Sequence, residues 1–197
     1  VVVGGGPTGI EMAGALAELV RGPLKNDQKH AARHIEVSLI EAGPRLLPSF
    51  SPTLSEKAKK SLEKLGVKVL LNTAVKAVKR TEISLANGEV IPAEVTIWAA
   101  GVKGSPAIEK LSLPLDGNRL SVDSTLGVTN YPYIWGVGDI CGAKDKNSRF
   151  LPMVAPVAMQ QGRFVAEQIL RQAKNLALKD FKYRDKGSMA TIGRNKA

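Results

Sequence analysis

The sequence predicts an α/β protein built around a doubly wound, parallel nucleotide-binding sheet. The first observation is the stretch VVVGGGPTGIE, residues 1–11, in which a β-branched strand leads through a glycine-rich turn into a helix. The second is an alternation of apolar strands and amphipathic helices over roughly 70 residues, the pattern of parallel strands with right-handed crossovers. The third is an ordinary globular composition, with 44% hydrophobic residues.

The elements follow one another in a regular order. Strands are expected over 1–3, 35–41, 67–71, 95–101 and 133–141. Helices are expected after the glycine turn, over 53–66 and over 154–176, the second of them with Thr53 and Glu56 as a capping box. The remaining segments are expected as a solvent loop at 21–34, an antiparallel excursion with an Asn87-Gly88 turn at 75–92, a crossover at 104–130, and two strands around a Lys-Gly turn at 181–193.

Charge and composition narrow the classes of function. The 197 residues include 28 Lys and Arg against 18 Asp and Glu, a net charge of +10 that favours anionic surfaces or phosphate-rich ligands. The basic residues are scattered in short groups without interleaved aromatics, so no nucleic-acid partner is expected. No apolar run reaches the roughly 20 residues of a membrane-spanning helix. The single cysteine, Cys141, allows no intrachain disulfide, and we expect it to be a buried filler.

The glycine turn is the strongest functional signal. Gly4, Gly6 and Gly9 fit the G-x-G-x-x-G pattern between a strand and a helix, with Pro7 and Thr8 inside it. In that pattern the first glycine makes the tight turn, the second lets the backbone approach a pyrophosphate, and the third lets helix and strand pack closely. The residues after the turn are Ile-Glu rather than the Lys-Ser/Thr of a mononucleotide loop. A dinucleotide is therefore the expected ligand.

Glu41 ends the second expected strand, where an acid binds the adenosine ribose of such ligands. It lies 32 residues after Gly9, farther than the usual ~20, and the 21–34 loop would absorb the difference. A carboxylate there repels a 2′-phosphate and favours NADH over NADPH, while Arg45 is expected as a surface cation. The alternative is a plain strand–helix turn with Glu41 as a surface acid. His30 and His34 share helical spacing but lack a third ligand nearby, so no metal site is expected.

Further motifs carry a family resemblance. The stretch IWGVGDIC, with Gly138 and Asp139, together with the WAAG strand resembles paired-domain flavoprotein reductases, in which the equivalent Asp holds the ribityl chain of FAD. The stretches PMVAPVAMQQGRFVA and FKYRDKGSMATIGRNKA are similar to the flavin-flanking helix and the Lys-Gly turn of type II NADH dehydrogenases, the single-subunit NADH:quinone oxidoreductases. The match continues through GGGPTGIEMAG, EAGPRLLPSFSP and TIWAAGVKGSP.

The resemblance implies a paired-Rossmann flavoprotein architecture and a domain division. It implies an NADH-binding domain at 1–103, the C-terminal part of an FAD-binding domain at 104–175, and the start of a membrane- and quinone-side domain at 176–197. Members of the family begin with an FAD-binding unit and end in an amphipathic membrane-binding segment, so the chain is expected to be an interior fragment.

The resemblance also implies cofactors and site residues. NADH would lie on Gly6 and Gly9 with Glu41 on its ribose and with Ala100 and Gly101 beside the nicotinamide. The residues implied at FAD are Gly138, Asp139, Ala158 and Gln160.

Three residues are implied in catalysis. Gln160 would contact a quinone carbonyl, and Glu11 and Lys186 would relay protons. The alternative for Glu11 is an acid that the helix dipole favours near a helix N-terminus, and the alternative for Lys186 is a lysine of a charged turn. Pro156 departs from the glutamine of many relatives and puts the geometry of the quinone pocket in doubt.

The expected partners are a quinone and a membrane surface, with a homodimer as one assembly. The expected location is peripheral, on the cytoplasmic side of a bacterial membrane or on an organelle membrane. Two alternatives remain open. One is a soluble FAD/NAD(P)H reductase of a disulfide or iron–sulfur protein, and the other is a non-catalytic NAD(H)-binding module.

Overall fold

The structure is a computed structural model that describes residues 1–27 and 34–194. It divides into two compact units: unit 1 combines Val1–Gly101 with Ser188–Ala197, and unit 2 is Val102–Gly187. The segment expected as a separate domain, 176–197, is therefore divided between the two units. The boundary near residue 102 lies close to the expected one at 103.

Unit 1 contains the parallel sheet that the alternating pattern predicts. Its strands are β1 (Val2–Val3), β2 (Ser38–Ile40), β3 (Lys68–Leu70), β4 (Val75–Val78), β5 (Glu82–Leu85), β6 (Val90–Pro92) and β7 (Ile97–Trp98). Four of them form one sheet in the order β3-β2-β1-β7, in which every pairing is parallel. Because the carboxyl ends of parallel strands share one edge, the segments after β1, β2 and β7 emerge together there. The expected α/β class is confirmed.

The helices that the structure describes in unit 1 are α1 (Pro7–Arg21), α2 (Pro23–Asp27) and α3 (Pro52–Lys64). Each begins with proline, whose fixed φ suits the first helical position and whose missing N–H is not needed there. The cap of α3 is Ser51, whose side chain accepts from Leu54 N at 3.3 Å, so the expected cap at Thr53 is wrong. The expected loop at 21–34 is also wrong in part, because α1 includes Arg21 and α2 follows at Pro23–Asp27, while 28–33 lie outside the described residues.

The antiparallel excursion is a sheet of its own, in the order β4-β5-β6. Gly88 makes the turn between β5 and β6 with a φ of +93°, and its N–H donates to Leu85 O at 3.1 Å. Ile83 and Leu85 on β5 are buried with Val3 and Ile40 of the parallel sheet, so this small sheet covers part of the larger one. A left-handed φ at this point is why the turn uses glycine.

Residues 188–194, here called the clasp, return to unit 1 and pack along α1. Ala190 and Ile192 are each 8% exposed and belong to the core of the parallel sheet. Thr191 N donates to Glu11, and Arg194 N donates to Glu18. The expectation of two strands over 181–193 is wrong, because this segment packs on a helix instead of pairing with a strand.

Unit 2 is built from short antiparallel pairs and one long helix. Its elements are 3-10 turns at Pro106–Leu111 and Gly138–Ile140, strands β8 (Leu115–Asp116), β9 (Arg119–Leu120), β10 (Gly127–Val128) and β11 (Tyr131–Trp135), and helix α4 (Ala155–Ala173). The strand expected over 133–141 ends at Trp135, and the GVGDI stretch after it forms the second 3-10 turn. The long helix expected over 154–176 is α4.

Helix α4 buries one face against the rest of unit 2. Its buried residues recur at helical spacing: Val157, Gln161, Val165 and Gln168. They face an apolar cluster that includes Leu126, Cys141 and Leu151. Two glutamines in this stripe mean that the helix carries polar groups into the interior, where each side chain requires hydrogen-bond partners.

Candidate nucleotide-binding site

Two glycines of the turn after β1 are required by the fold itself. Gly4 has a φ of +113°, and a Cβ there would lie 2.6 Å from Ala99 O. A Cβ at Gly9 would overlap Gly4 O. These positions therefore bring β1, α1 and the segment after β7 closer together than any side chain permits.

Gly6 differs, because the protein itself leaves its side-chain position open. Its φ of −74° and ψ of 179° suit any residue, and no heavy atom of the described residues lies within 4 Å of the Cβ that a side chain would have. Gly6 is also the N-cap of α1 and has no side chain to cap the amides of Thr8 and Gly9. The turn thus combines open space, free N–H donors and the positive end of a helix dipole, the requirements of a phosphate site.

Glu41 follows β2 at the same sheet edge and is fixed by backbone amides. Its Oε2 accepts from Gly5 N at 2.5 Å, and its Oε1 accepts from Gly43 N at 2.7 Å. A carboxylate offers about four acceptor positions, so each oxygen keeps one for a further donor. Glu41 is thus both a brace for the glycine turn and a half-buried acceptor beside it.

Arg45 is not the surface cation that the sequence predicted. Its Nη2 donates to Pro48 O at 2.7 Å and its Nη1 to Phe50 O at 2.8 Å. The residue is half-buried, and those two carbonyls hold its guanidinium against its own loop. These two hydrogen bonds could not be predicted from the sequence, because they depend on the conformation of the loop after β2.

Ala100 and Gly101 follow β7 at the same edge of the sheet. Ala99 N donates to Val3 O at 2.7 Å, which continues the pairing of β1 and β7 for one residue. Gly101 then turns away with a φ of +92°, and both Ala100 and Gly101 are exposed. Three segments predicted to bind nucleotide, the glycine turn, Glu41 and this turn, therefore lie at one edge of one sheet.

Glu11 lies one turn into α1 and is engaged by the clasp. Its Oε1 accepts from Thr191 N at 3.0 Å and from Thr191 Oγ1 at 3.3 Å. The residue is exposed, and its second oxygen stays open to solvent on the described part of the chain. Sequence reasoning missed this pairing, which joins positions 180 residues apart.

The Gly138-Asp139 turn belongs to unit 2 and rests on α4. Gly138 has a φ of +71°, and its N–H donates at 2.7 Å to Oε1 of Gln161, a side chain only 1% exposed. A Cβ at Gly138 would lie 3.8 Å from that of Ala158. Asp139 itself is exposed. Sequence reasoning favoured Gln160 and missed the role of Gln161, although the buried stripe of α4 is the signal that identifies it.

Gln160 lies on α4 outside its buried stripe, and Lys186 lies in the turn at 185–187. The Gln160 amide donates to Arg184 O and accepts from Arg184 N, both at 3.0 Å. Gly187 N donates to Asp185 Oδ1 at 2.9 Å and closes the turn that presents Lys186 to solvent. Gln160 therefore anchors the segment that carries Lys186, while Glu11 belongs to unit 1.

The histidines and the cysteine are the remaining residues that metal or thiol chemistry would use. His30 lies outside the described residues, and over 1–27 and 34–194 no group of three or more His, Cys, Asp or Glu side chains could hold a metal ion. Cys141 is 1% exposed, and burial raises the pKa of its thiol. Among the helices that the structure describes, none is long and apolar enough to cross a membrane.

Comparison with a family model gives one match over most of the chain. The model described as "Pyridine nucleotide-disulphide oxidoreductase" matches residues 1–162. These residues include the glycine turn, Glu41, the Ala100-Gly101 turn and the Gly138-Asp139 turn.

Curated relatives match the whole chain. It is 35% identical to an internal alternative NAD(P)H-ubiquinone oxidoreductase A1, mitochondrial, of Solanum tuberosum, over 100% of this chain and 42% of that protein. It is 37% identical to the type II NADH:quinone oxidoreductase Ndh of Mycobacterium tuberculosis, over 98% of this chain and 43% of that protein. The chain thus spans less than half the length of these relatives.

Solved structures share the fold. NDH2 from Plasmodium falciparum in complex with NADH superposes with a TM-score of 0.86 and 21% identity, over 98% of this chain and 55% of that one. A ferredoxin reductase from Rhodopseudomonas palustris gives a TM-score of 0.66 and 19% identity, over 92% of this chain and 42% of that one.

Proposed function

Because the chain belongs to the pyridine nucleotide-disulphide oxidoreductase family, we propose that unit 1 binds NADH and that the protein is a flavin-dependent NADH:quinone oxidoreductase. Both relatives described above are named as quinone or ubiquinone oxidoreductases of NADH or NAD(P)H. The observation that carries the proposal is the open position at Gly6, beside uncapped amides of α1.

The pyrophosphate of NADH is proposed to lie against the amides of Thr8 and Gly9. Gly6 supports this, since a Cβ there would fill the space that a phosphate needs and nothing in the described protein requires the glycine. Gly4 and Gly9 shape the turn, and Pro7 begins the helix. The aligned peptide dipoles of α1 then favour the negative charge.

Selectivity for NADH over NADPH is proposed to come from Glu41. Its two remaining acceptor positions suit the two hydroxyls of the adenosine ribose, and its charge repels a 2′-phosphate. Arg45 would be the nearby cation for that phosphate, but its guanidinium is held by Pro48 O and Phe50 O. Ala100 and Gly101 are proposed to lie beside the nicotinamide.

FAD is proposed to be held in unit 2 by the Gly138-Asp139 turn, with Asp139 on the ribityl hydroxyls. Two observations support the fit: the Asp139 carboxylate is exposed, and the buried Gln161 accepts from Gly138 N and so fixes the turn. Ala158 is small enough for α4 to approach the turn. When bound, the flavin accepts a hydride from NADH and passes two electrons to a quinone. The protein's part is to hold and orient the reactants.

Gln160, Lys186 and Glu11 are proposed on the quinone and proton side. The Gln160 amide keeps one donor and one acceptor position beyond its two bonds to Arg184, so it can still hydrogen-bond a quinone carbonyl. Lys186 is presented by the Asp185-Gly187 turn as a proton donor. Glu11 keeps one oxygen beyond the Thr191 bonds. We further propose peripheral binding at a membrane surface, to which the net charge of +10 would contribute, and a homodimer.

The test is a two-step absorbance experiment on the protein loaded with FAD. Anaerobic NADH is expected to bleach the visible band of the flavin, and a soluble quinone analogue is expected to restore it. If no quinone restores the band but a disulfide or a ferredoxin does, the electron acceptor is not a quinone, and the protein is a soluble reductase instead. A protein that binds NADH without bleaching would be a nucleotide-binding module instead.

A further inference from the structure

The loop after β2, residues 41–50 and here called the β2 loop, fixes the glycine turn from one side. Both backbone groups of Gly5 are bound by it: Gly5 N donates to Glu41 Oε2 at 2.5 Å, and Gly5 O accepts from Leu47 N at 2.8 Å. A Cβ at Gly5 would lie 2.7 Å from Leu46 Cδ2. The conformation of the proposed pyrophosphate turn therefore depends on the conformation of the β2 loop.

The β2 loop is held in a conformation that its sequence does not favour. Leu47 has a φ of +48°, in the left-handed region that L residues with large side chains rarely adopt, and it is 4% exposed. Such a conformation persists only where surrounding contacts impose it. The same conformation directs Leu47 N at Gly5 O, so whatever imposes it also fixes the turn.

Arg45 bonds the residues on the C-terminal side of Leu47, while the Leu47 side chain packs in the core. Arg45 Nη2 and Nη1 bond Pro48 O and Phe50 O, which lie just beyond Leu47, and Nη1 also reaches Ser55 Oγ on α3 at 3.4 Å. Ser55 Oγ has a single proton to donate, and it lies 3.4 Å from Leu47 O and 3.2 Å from Ser51 O. A guanidinium has a planar fork of donors that can serve several acceptors at once, which a lysine ammonium on a flexible stem cannot do with the same geometry.

We propose that Arg45 is a positioning residue for the adenosine diphosphate half of the dinucleotide. It holds the β2 loop through Pro48 and Phe50, the loop holds Gly5 through Leu47, and Gly5 orients the amides of the turn and the Glu41 carboxylate. Arg45 itself does not touch the ligand. The inference rests on the proposed NADH site and adds to it a residue whose effect is confined to one half of the ligand.

The experiment compares three variants of the 197-residue chain by fluorescence titration with NADH and with reduced nicotinamide riboside, which lacks the diphosphate and the adenosine. Arg45→Gln is expected to weaken NADH binding on the order of tenfold, because the turn is no longer preorganised. The riboside affinity is expected to stay unchanged. Arg45→Lys is expected to fall between Arg45→Gln and the wild type. Arg80→Gln, an exposed arginine of the same unit, is the matched control and is expected to bind as the wild type does.

Amide hydrogen exchange on the same variants separates positioning from general destabilisation. In Arg45→Gln the amides of Gly5 and Leu47 are expected to exchange faster, while the core amide of Leu39 stays protected. Unchanged NADH affinity in Arg45→Gln, or equal weakening of both ligands with loss of protection at Leu39, would overturn the inference and leave the NADH site standing. A wild-type chain that binds neither ligand would overturn the proposed NADH site and, with it, the role of Arg45.

Discussion

At the scale of single residues, Glu41 braces the glycine turn and is also the acid proposed to bind the ribose. Its carboxylate braces Gly5 and Gly43 and also faces the edge at which a ribose would lie. Its position at the end of the second expected strand singled the residue out in the sequence, although it lies 32 residues after Gly9 instead of the usual ~20. The backbone partners could not be predicted, since they depend on the turn after β1 approaching the loop after β2.

Replacement of Glu41 by arginine is expected to reverse the nucleotide preference. The variant removes the charge that repels a 2′-phosphate and adds a guanidinium that can bind it, so the ratio of NADPH to NADH affinity should rise by at least about tenfold. NADH affinity should also fall, because Gly5 N and Gly43 N lose their acceptor. Titration of both nucleotides measures the ratio.

Glu36→Arg is the matched control, because Glu36 is an exposed acid just before β2. It changes the net charge equally and should leave the ratio unaltered. An unaltered ratio in Glu41→Arg as well would show that Glu41 does not select the nucleotide.

Cys141 gives a second prediction at this scale. Burial raises the pKa of its thiol, so the folded protein keeps the thiol protonated at a pH where the unfolded chain begins to ionise. The free energy of unfolding is therefore unaffected by ionisation of this thiol at neutral pH and decreases as pH rises through the alkaline range. A disulfide reagent at mildly alkaline pH should label Cys141 slowly in the native protein and quickly in guanidinium. Fast native labelling would contradict the buried placement.

At the scale of elements, the clasp shows how tertiary packing overrides local pattern. The alternation in residues 181–193 predicts strands, but the described segment pairs with no strand, and Ala190 and Ile192 enter the core beside α1. Gly14 and Gly193 permit the approach, since a Cβ at Gly14 would lie 2.9 Å from Gly193 N. Alternation reports which side chains are buried but not what buries them.

Ile192→Ala is expected to destabilise unit 1 by about 2–4 kcal/mol, because it leaves a cavity in a packed core. Thermal or denaturant unfolding measures the loss. Met189→Ala is the matched control within the clasp: Met189 is 74% exposed, and its removal should change stability by no more than about 0.5 kcal/mol. Equal effects of the two substitutions would show that the clasp does not pack as described.

Helix α4 shows the opposite case, because the spacing of its apolar residues already indicates which glutamine is buried. Gln160 and Gln161 are neighbours in sequence, but they point about 100° apart on a helix. Only Gln161 shares the stripe of Val157 and Val165, so the periodicity alone assigns it to the interior. A buried glutamine needs partners, and the Gly138 turn supplies one.

At the scale of the whole molecule, the order of elements in unit 1 was predictable, and the packing of the clasp against it was not. Strand, glycine turn, helix and acid succeed each other within the first 41 residues, and each is a short-range pattern. The return of residues 188–194 to unit 1 joins the two ends of the described chain and leaves no short-range trace. The sequence therefore predicted the short-range order of unit 1 but not the return of residues 188–194 to it.

The most direct measurement of the central claim is NADH binding to Gly6→Ala. The described protein leaves room for this methyl group and the backbone accepts it, so the melting temperature should stay within about 2 °C of the wild type. NADH should bind at least on the order of tenfold more weakly, because the methyl group fills the space proposed for the pyrophosphate. Gly9→Ala, whose Cβ would overlap Gly4 O, should instead lower the melting temperature. NADH binding to Gly6→Ala with wild-type affinity would contradict the account.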